Sequence, residues 1–481
     1  MNGYRYLLLG VAVAFFGGCT LAPKYARPEP PVPATWPGGP AYDNAQVSPG
    51  APVSAELKWR EFFTDERLRK VIETALKNNR DLRTAALNVE RARAVYGIAR
   101  ADLLPAVEAT GRGRKERAPS SSFGSDGGSA IIERYDVNLG ISSWEIDFFG
   151  RIRSLKDAAL QEYLATEEAR HGAQILLVSG VADAYLTFAA DRETLKLAQS
   201  TQDTQQAAYN LIRKRYDVGL STELDLRQAQ TRVDAARVDA ALYSRLVAQD
   251  ENALDLLVGS KVPAELLPDN LTLVSPAREI SPGISSEVLL LRPDILQAEN
   301  LLKAANANIG AARATLFPRI SLTAAFGTAS GELSGLFKSG SRAWSFSPQI
   351  IAPIFDARAW AALDAIKVER EIAVAQYEKA IQTAFREVAD ALAVRGTVED
   401  QLSAQQSLVE AASETYRLSN MRYTKGIDSF LGVLDAQRSL YAAQQGLIAV
   451  RLTRFANQVR LYAVLGGGGD RITESPVNSR R

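Results

Sequence analysis

Long proline-free stretches with helical spacing of apolar residues dominate this 481-residue chain. No proline occurs between residues 119 and 263, or between residues 353 and 476. In the second stretch apolar side chains recur every three or four residues, as at Tyr377, Ile381, Phe385, Val388 and Leu392. The spacing predicts a helix from about Ala357 to Tyr423, which would be about 100 Å long at 1.5 Å per residue. A compact globular domain does not accommodate such a helix.

Short segments of a different kind alternate apolar and polar or small residues. Such alternation joins Tyr135, Val137, Leu139 and Ile141, and again Ile320, Leu322, Ala324 and Phe326. A period of two is typical of half-buried strands. We predict four strands, at about residues 106–116, 135–146, 319–328 and 342–353. The predicted fold class is therefore mainly α with a small β part.

Comparison of the sequence with itself reveals an internal duplication. At an offset of 207 residues, Tyr209, Leu211, Arg215, Tyr216 and Gly219 pair with Tyr416, Leu418, Arg422, Tyr423 and Gly426. At an offset of 213 residues, Asp81, Ala85, Gly97 and Pro105 pair with Asp294, Ala298, Gly310 and Pro318. The difference falls between about 111 and 134, where we expect an exposed loop because loop tips accept length changes. The predicted repeats are 59–265 and 266–468, each with a helix, two strands and a long helical hairpin.

The N-terminus has the features of an export signal. A ten-residue apolar run follows Arg5, and Cys19, the only cysteine, comes just after it. The run is shorter than the roughly 20 residues of a transmembrane helix, so we predict a signal peptide at 1–18. We expect Cys19 to carry a covalent lipid and to begin a proline-rich strap over 19–58, and residues 469–481 to form a flexible tail. A buried structural cysteine after an ordinary signal is the alternative.

Composition excludes several kinds of chemistry. With one histidine and one cysteine, the chain can form neither a multi-histidine metal site nor an internal disulfide. We expect the histidine, His171, to be solvated on a helix surface. The net charge is +1, from 56 basic and 55 acidic residues. The chain therefore lacks the excess of positive charge that is typical of nucleic-acid-binding proteins. We find no common nucleotide-binding or hydrolase motif, so we predict no enzymatic activity, no metal and no cofactor beyond the lipid; a hydrolase with scattered catalytic residues stays open.

Four strands of about ten residues have the length needed to cross a membrane. In a bilayer a sheet with open edges leaves backbone groups unsatisfied, so it must close into a barrel. Four strands are too few to close around a lumen, whereas three chains would supply twelve. A periplasmic coiled-coil structural lipoprotein, with the strands as a cap, is the alternative.

The sequence resembles the TolC-type outer-membrane channels, and within them the lipoprotein branch that serves RND multidrug efflux pumps. The matching motifs are LAPKY after the cysteine, WEIDFFGRIR (Trp144–Arg153), RYDVGLSTELDLRQAQ (Arg215–Gln230), LRPDI (Leu291–Ile295), LFPRISL (Leu316–Leu322) and RYTKGIDSFLGVLDAQRSLY (Arg422–Tyr441). The resemblance implies a homotrimer with a twelve-stranded outer-membrane β-barrel and a periplasmic α-barrel of long antiparallel helices. It also implies a passive exit duct that works with a periplasmic membrane-fusion adaptor and an inner-membrane RND transporter. The expected location is the bacterial outer membrane, with the lipid as an anchor and the helices in the periplasm.

The resemblance also assigns roles to single residues. Gly219 and Gly426 match the periplasmic turns where the adaptor is expected to dock. Leu431, Asp435 and Arg438 match positions that constrict the periplasmic entrance. Tyr423 matches a tyrosine that tethers neighbouring helices in closed channels, and Asp225 lies in the region of its expected partner. Asp428 stands where some members have arginine, so the resemblance does not carry over the tether that this arginine makes.

Two alternatives remain open beside these assignments. Asp435 could be a solvated position on a helix face, as charged residues on long helices usually are. The duct could serve a type I protein secretion system instead of efflux, although the lipidated N-terminus and the LAPKY start favour efflux.

Overall fold

The computed structural model describes residues 20–43, 57–119, 129–281 and 285–467. The predicted signal peptide at 1–18, Cys19 and the predicted tail at 469–481 lie outside the described residues. The chain divides into two compact units. The first unit contains Met1–Glu29, Asn88–Thr166 and Gln297–Tyr377, and the second contains Pro30–Leu87, Glu167–Leu296 and Glu378–Arg481.

The first unit contains an antiparallel sheet of four strands in the order β1-β2-β3-β4. The strands are β1 (Val107–Pro119), β2 (Ser129–Glu145), β3 (Arg319–Ser330) and β4 (Arg342–Ile351). The register between β2 and β3 shifts between Ile141 and Trp144, and Ser143 there has a φ of 52°. This is a β-bulge, which bends the strand locally. Because β1 and β4 lie at the two edges, each leaves one row of backbone groups without a partner in the sheet.

The first hairpin is longer than the sequence predicts. The region from about 111 to 134, predicted as a loop, is mostly strand, because β1 continues to Pro119 and β2 begins at Ser129 instead of residue 135. Lys115 lies opposite Glu133 in the register, and the two side chains form an ion pair. Opposite charges across a strand pair stabilise it, yet charged residues give no apolar alternation from which a strand could be predicted.

The second hairpin differs less from its prediction. β3 begins at Arg319 as predicted and ends at Ser330 instead of residue 328, and β4 ends at Ile351 instead of residue 353. Pro353 lies two residues beyond the end of β4, and a proline has no amide hydrogen to donate to a ladder. The strand therefore ends before it.

Long helices account for most of the described residues. They are α1 (Trp59–Phe62), α2 (Glu66–Asn78), α3 (Arg80–Ala101), α4 (Arg151–Asp217), α5 (Glu223–Val258), α6 (Pro293–Ala314), α7 (Ala357–Thr424) and α8 (Phe430–Val464). Short 3-10 helices lie at Ala264–Leu266, Leu271–Leu273, Ser286–Leu291 and Leu333–Gly335. Helix α7 is continuous over 68 residues and ends one residue beyond its predicted end. Helices α3 and α6 end at Ala101 and Ala314, because tight turns in which the amides of Leu104 and Phe317 bond back to the carbonyls of these residues close them.

The second unit has an aromatic and aliphatic core. Phe62 of α1 stacks on Tyr462 of α8, with ring centroids 4.5 Å apart. The buried Tyr185 of α4 donates a hydrogen bond to the Leu266 carbonyl, 3.0 Å away. An 18-residue window of α4 has a mean hydropathy of 1.4, and 61% of that window is buried inside the protein, as expected of a core helix. The prediction for His171 of α4 is wrong, since its side chain is only 17% exposed and contacts Glu168.

Arg292 explains the LRPDI motif. This residue is buried and donates a 2.6 Å hydrogen bond to the carbonyl of Val464 at the end of α8. Its guanidinium also binds Asp294 and, 2.9 Å away, Glu387 of α7. The neighbouring carboxylates outweigh the effect of burial, so the pKa of Arg292 is raised. One side chain thus joins the start of α6 to α7 and α8.

Candidate functional site

Two glycines end the long helices of the second unit in the same way. Gly219 follows α4 with a φ of 76°, and Gly426 follows α7 with a φ of 73°. After α4, the amide of Gly219 bonds to the Tyr216 carbonyl and the amide of Leu220 bonds to the Arg215 carbonyl. This pair of bonds is a Schellman motif, which requires a left-handed residue and therefore favours glycine. The same pair of bonds closes α7 around Gly426.

The helices that follow these turns begin differently. Thr222 caps α5 through a reciprocal capping box: its hydroxyl accepts from the Asp225 amide, and the Asp225 carboxylate accepts from the Thr222 amide. Hydrogen bonds from Thr222, with Ser221 and the charge of Arg215 adding to them, lower the pKa of Asp225 against the effect of burial. Ser429 stands at the equivalent position before α8 and makes no side-chain cap.

Asp428 has a partner within the second turn. Its carboxylate accepts two hydrogen bonds from Arg422, the closer one from Nε at 2.5 Å. The pair bridges the last turn of α7 and the residue before the cap of α8, and the bonds from Arg422 lower the pKa of the Asp428 carboxyl. An acidic residue at this position thus serves the turn itself.

Tyr423 joins the two hairpins. Nη1 of Arg215, in the last turn of α4, donates a hydrogen bond to the Tyr423 hydroxyl, 3.0 Å away. The Tyr423 ring packs 5.1 Å from the ring of Phe430. Both rings belong to an apolar cluster whose buried members are Ile212, Ala229, Phe430, Val433 and Leu434. Residues of α4, α5, α7 and α8 therefore meet at Tyr423.

The other three predicted gate residues lie on an exposed face of α8. Leu431, Asp435 and Arg438 are spaced by four and three residues, which places them on one side of the helix. The Leu431 residue is 50% exposed, and the side chains of Asp435 and Arg438 are 53% and 65% exposed. Arg438 Nη2 lies 3.4 Å from Asp435 Oδ1. The structure brings this pair together and places Tyr423 apart from it, in the apolar cluster.

Sequence reasoning missed Arg215 and Arg422 as contributors to this site. The offset of 207 residues pairs them as equivalents, which suggests equal roles. The structure gives them different partners, Tyr423 for Arg215 and Asp428 for Arg422. The acidic residue at 428, where the first repeat has Ser221, is the sequence signal for the difference.

The strand-to-helix junction of the first unit explains two further motifs. Arg151 of WEIDFFGRIR binds Glu145 through two 2.8 Å hydrogen bonds, and Arg319 of LFPRISL lies 2.6 Å from the same carboxylate. The Asp147 carboxylate accepts from the amide of Arg153 at the first turn of α4, as an anion at a helix N-terminus does. In the part of the chain that the structure describes, no three His, Cys, Asp or Glu side chains are placed to hold a metal ion.

Comparison with known proteins decides the family. A family model described as outer membrane efflux protein matches residues 71–260 and 284–467, which together are most of the chain. The chain belongs to the outer membrane efflux protein family. The two matched segments fall in the two halves of the duplication, and the predicted resemblance to TolC-type channels is confirmed.

Individual relatives agree with this assignment. The chain is 50% identical over 464 residues to the probable efflux pump outer membrane protein TtgC of Pseudomonas putida, covering 96% of this chain and 95% of that one. It is 42% identical over 475 residues to the outer membrane protein OprJ of Pseudomonas aeruginosa, covering 97% and 96%. The crystal structure of the open MtrE outer membrane channel of Neisseria gonorrhoeae matches with a TM-score of 0.83 and 38% identity, over 94% of this chain and 98% of that one.

These findings fix the fold and the location. The protein has the mainly helical fold of TolC-type channels with a small antiparallel sheet. It is an outer-membrane efflux channel that extends into the periplasm, and its family consists of channel proteins.

Proposed function

We propose that the protein works as a homotrimer in which three four-stranded sheets close into one twelve-stranded barrel. The single observation that carries this proposal is the pair of open sheet edges, β1 and β4. Inside a bilayer no water pairs with their backbone groups, so an open sheet would be strongly destabilised. Pairing of β1 with β4 of the next protomer satisfies both edges.

The trimer forms the exit duct of a tripartite efflux pump. We propose that a periplasmic membrane-fusion adaptor docks at the turns around Gly219 and Gly426. An inner-membrane RND transporter supplies the compound that is exported. Relatives carry names such as toluene efflux pump and antibiotic efflux pump outer membrane protein. We infer that this chain exports the same class of compound, namely drugs or other small toxic molecules. The duct conducts passively, catalyses no reaction and uses no cofactor.

The periplasmic entrance is gated by Leu431, Asp435, Arg438 and Tyr423. Support comes from their exposure and pairing: three lie on one exposed face of α8, and Tyr423 ties α7 to α4 through Arg215. Around a three-fold axis, three Asp435 carboxylates repel one another, and Arg438 at i+3 partly offsets that repulsion. A carboxylate ring at a constriction favours cations.

A lipid on Cys19 anchors the mature N-terminus in the outer membrane. Because one acyl chain binds a membrane only marginally, the anchor adds to the barrel and does not replace it. Mass spectrometry of the mature N-terminal peptide tests this part. A peptide that begins at Cys19 with the added mass of acyl groups is expected, and an unmodified Cys19 contradicts it.

Accumulation of a fluorescent efflux substrate tests the function in cells. A strain without this gene should accumulate the dye, and the wild-type gene should restore export. The control is Gly432→Ala, because this helical glycine has no atom within 4 Å of an added Cβ. Unchanged dye export in the deletion strain, with loss of a secreted protein, would assign the duct to type I secretion instead.

A further inference from the structure

The strap that follows Cys19 is bound along α6 in a fixed register. The contacts within the first unit run in order: Tyr25 and Arg27 bind Glu299, the Pro23 carbonyl accepts from Asn306, and the Leu21 carbonyl accepts from Arg313. As the strap runs back toward its first residue, its partners advance toward the end of α6. The Thr20 hydroxyl then lies 3.3 Å from the Ser154 hydroxyl of α4.

A buried carboxylate holds the far end of this strap. The Glu299 side chain is 3% exposed and accepts hydrogen bonds from Arg27 Nη2 at 2.6 Å and from the Tyr25 hydroxyl at 3.1 Å. Lys303 Nζ lies 3.1 Å from the same carboxylate. Separating a buried charge from any one of its three partners costs a large amount of free energy. The strap therefore cannot slide along α6 without breaking this cluster.

The internal duplication allows α6, which contacts the strap, to be compared with its equivalent helix α3. Gly310 of α6 approaches the strap so closely that an added Cβ would lie 2.7 Å from the Ala22 amide nitrogen. Gly97 stands at the equivalent position of α3, and an added Cβ there has no atom within 4 Å. The strap therefore covers one of the two equivalent helices.

A cavity lies where the covered helix ends. It has a volume of about 320 Å³ and lies at the junction of α6 with β3 and of β2 with α4. Phe149 and Phe317 form one wall, with ring centroids 4.9 Å apart, and Ile351 and Pro353 add further apolar lining. Arg319, whose side chain is 58% exposed, lies at the polar side of the cavity beside Glu145.

The direction of the strap connects it to this cavity. Leu21 is bound at Arg313, and the next residue of α6, Ala314, lines the cavity. Thr20 is bound at Ser154, one helical turn from Arg151, which also lines it. The described part of the strap therefore ends beside Arg313 and Ser154, whose neighbours along α6 and α4 line the cavity. After cleavage of the predicted signal peptide, Cys19 would be the first residue of the chain, and one peptide unit, about 3.8 Å between Cα atoms, separates it from Thr20.

We propose that this cavity is the seat of the lipid attached to Cys19, taking the linkage and the first part of an acyl chain between Phe149, Phe317 and Ile351. The inference rests on the lipid anchor of the proposed function. It adds that the lipid enters the membrane at one defined place, the level at which β3 begins. The strap acts as the positioning element, because Glu299 and Gly310 hold it in register along α6.

Photocrosslinking of the lipid in place tests the seat. Cells that make the full chain are fed a fatty acid carrying a diazirine, isolated outer membranes are illuminated, and peptides joined to the acylated N-terminal peptide are identified by mass spectrometry. Crosslinks to peptides that contain Phe149 or Phe317 are expected. Phe317→Ala should reduce their yield severalfold, whereas Leu104→Ala, at the equivalent exposed position after α3, should leave it unchanged.

A second pair of variants changes no residue that lines the cavity. Gly310→Leu should displace the strap and lower the crosslink yield, while Gly97→Leu should not. Two results would contradict the lipid seat without contradicting the lipid anchor. In the first, the acylated N-terminal peptide crosslinks only to membrane phospholipid. In the second, the crosslink yield to the cavity peptides is the same in Gly310→Leu and Gly97→Leu. An unmodified Cys19 in the same spectra would overturn the anchor and the seat together. Dye export by the same cells reports separately on the channel function.

Discussion

Arg215 Nη1 donates a hydrogen bond to the hydroxyl of Tyr423, 3.0 Å away, and its guanidinium lies 5.4 Å from the centre of the tyrosine ring. The two residues belong to different repeats but are not each other's equivalents. Arg422, the equivalent of Arg215, instead binds Asp428 in its own turn. The duplicated hairpins are therefore joined by an asymmetric bond, and an opening movement that separates the end of α4 from the end of α7 must break it.

Tyr423→Phe should favour the open state of the channel. The change removes only the hydroxyl and retains the ring that packs on Phe430, so it should weaken the closed arrangement by about 1 kcal/mol. Single-channel recording in planar bilayers should show longer open times. Tyr216→Phe, at the equivalent position in the last turn of α4, is the control and should match the wild type. Equal open times in both variants would mean that the bond does not restrain opening.

Asp435→Ser should raise single-channel conductance and weaken the preference for cations. The effect should be larger in about 0.1 M salt than in about 1 M salt, because fixed charges are less screened at low ionic strength. Asp234→Ser is the matched control, since Asp234 is also an exposed helical aspartate, 3.6 Å from an arginine at i+3, Arg237. If both variants conduct like the wild type at both salt concentrations, Asp435 is a solvated position on a helix face.

Gly426→Trp should impair efflux without loss of trimers. Any side chain at a φ of 73° strains the turn by roughly 1 kcal/mol or more, and the indole adds bulk where the adaptor is expected to dock. Crosslinking to the adaptor should fall, while the trimer band on a gel persists. Gly432→Trp, in the regular part of α8 with open space around it, should retain more crosslinking. Full crosslinking of the Gly426 variant would place docking elsewhere.

Thr222→Ala should loosen the first turn of α5 by about 1 kcal/mol, because it removes the capping box. Hydrogen exchange of the peptide around residues 220–226 should become faster. Ser429→Ala should have little effect, since Ser429 makes no side-chain cap. Equal acceleration in both variants would contradict a role for the box.

The same cap should depend on pH. Hydrogen bonds from Thr222 hold the pKa of Asp225 below its ordinary value of 3.8, so the folded protein binds this proton less readily than the unfolded chain. The stabilisation is then complete above pH 3.8 and is lost as the pH falls below that value through the lowered pKa. Hydrogen exchange of the wild-type peptide should accelerate over that range, and Asp225→Asn should remove this part of the pH dependence. An unchanged pH profile in Asp225→Asn would contradict the assignment.

Much of the fold could be predicted because its signals are local or repeated. The offset of 207 residues located both turns, and positive φ at Gly219 and Gly426 follows from the need of a Schellman motif for glycine. Proline-free apolar spacing predicted α7 to within one residue at its end. The sequence predicts the parts of the strands in which apolar residues alternate. It does not predict the parts of β1 and β2 that are stabilised by charged cross-strand pairs such as Lys115 and Glu133.

Contacts between distant segments could not be predicted in this way. No local pattern indicates that Glu299 receives Tyr25 and Arg27, or that Arg292 binds the Val464 carbonyl. These contacts depend on how helices and strap meet. The equivalent positions Gly97 and Gly310 differ because the strap and Ser154 of α4 both lie against Gly310, whereas nothing lies within 4 Å of an added Cβ at Gly97. For the predicted gate, the i,i+3 spacing of Asp435 and Arg438 is enough to place them on one face of a helix, whereas the partner of Tyr423 required the structure.

Electron cryo-microscopy of the protein in lipid nanodiscs tests the central claim most directly. The account predicts a three-fold particle in which β1 of each protomer is hydrogen-bonded to β4 of the next, so that twelve strands surround one lumen. A monomer whose β1 and β4 edges stay open in the lipid, or an assembly in which those edges do not pair, would contradict it.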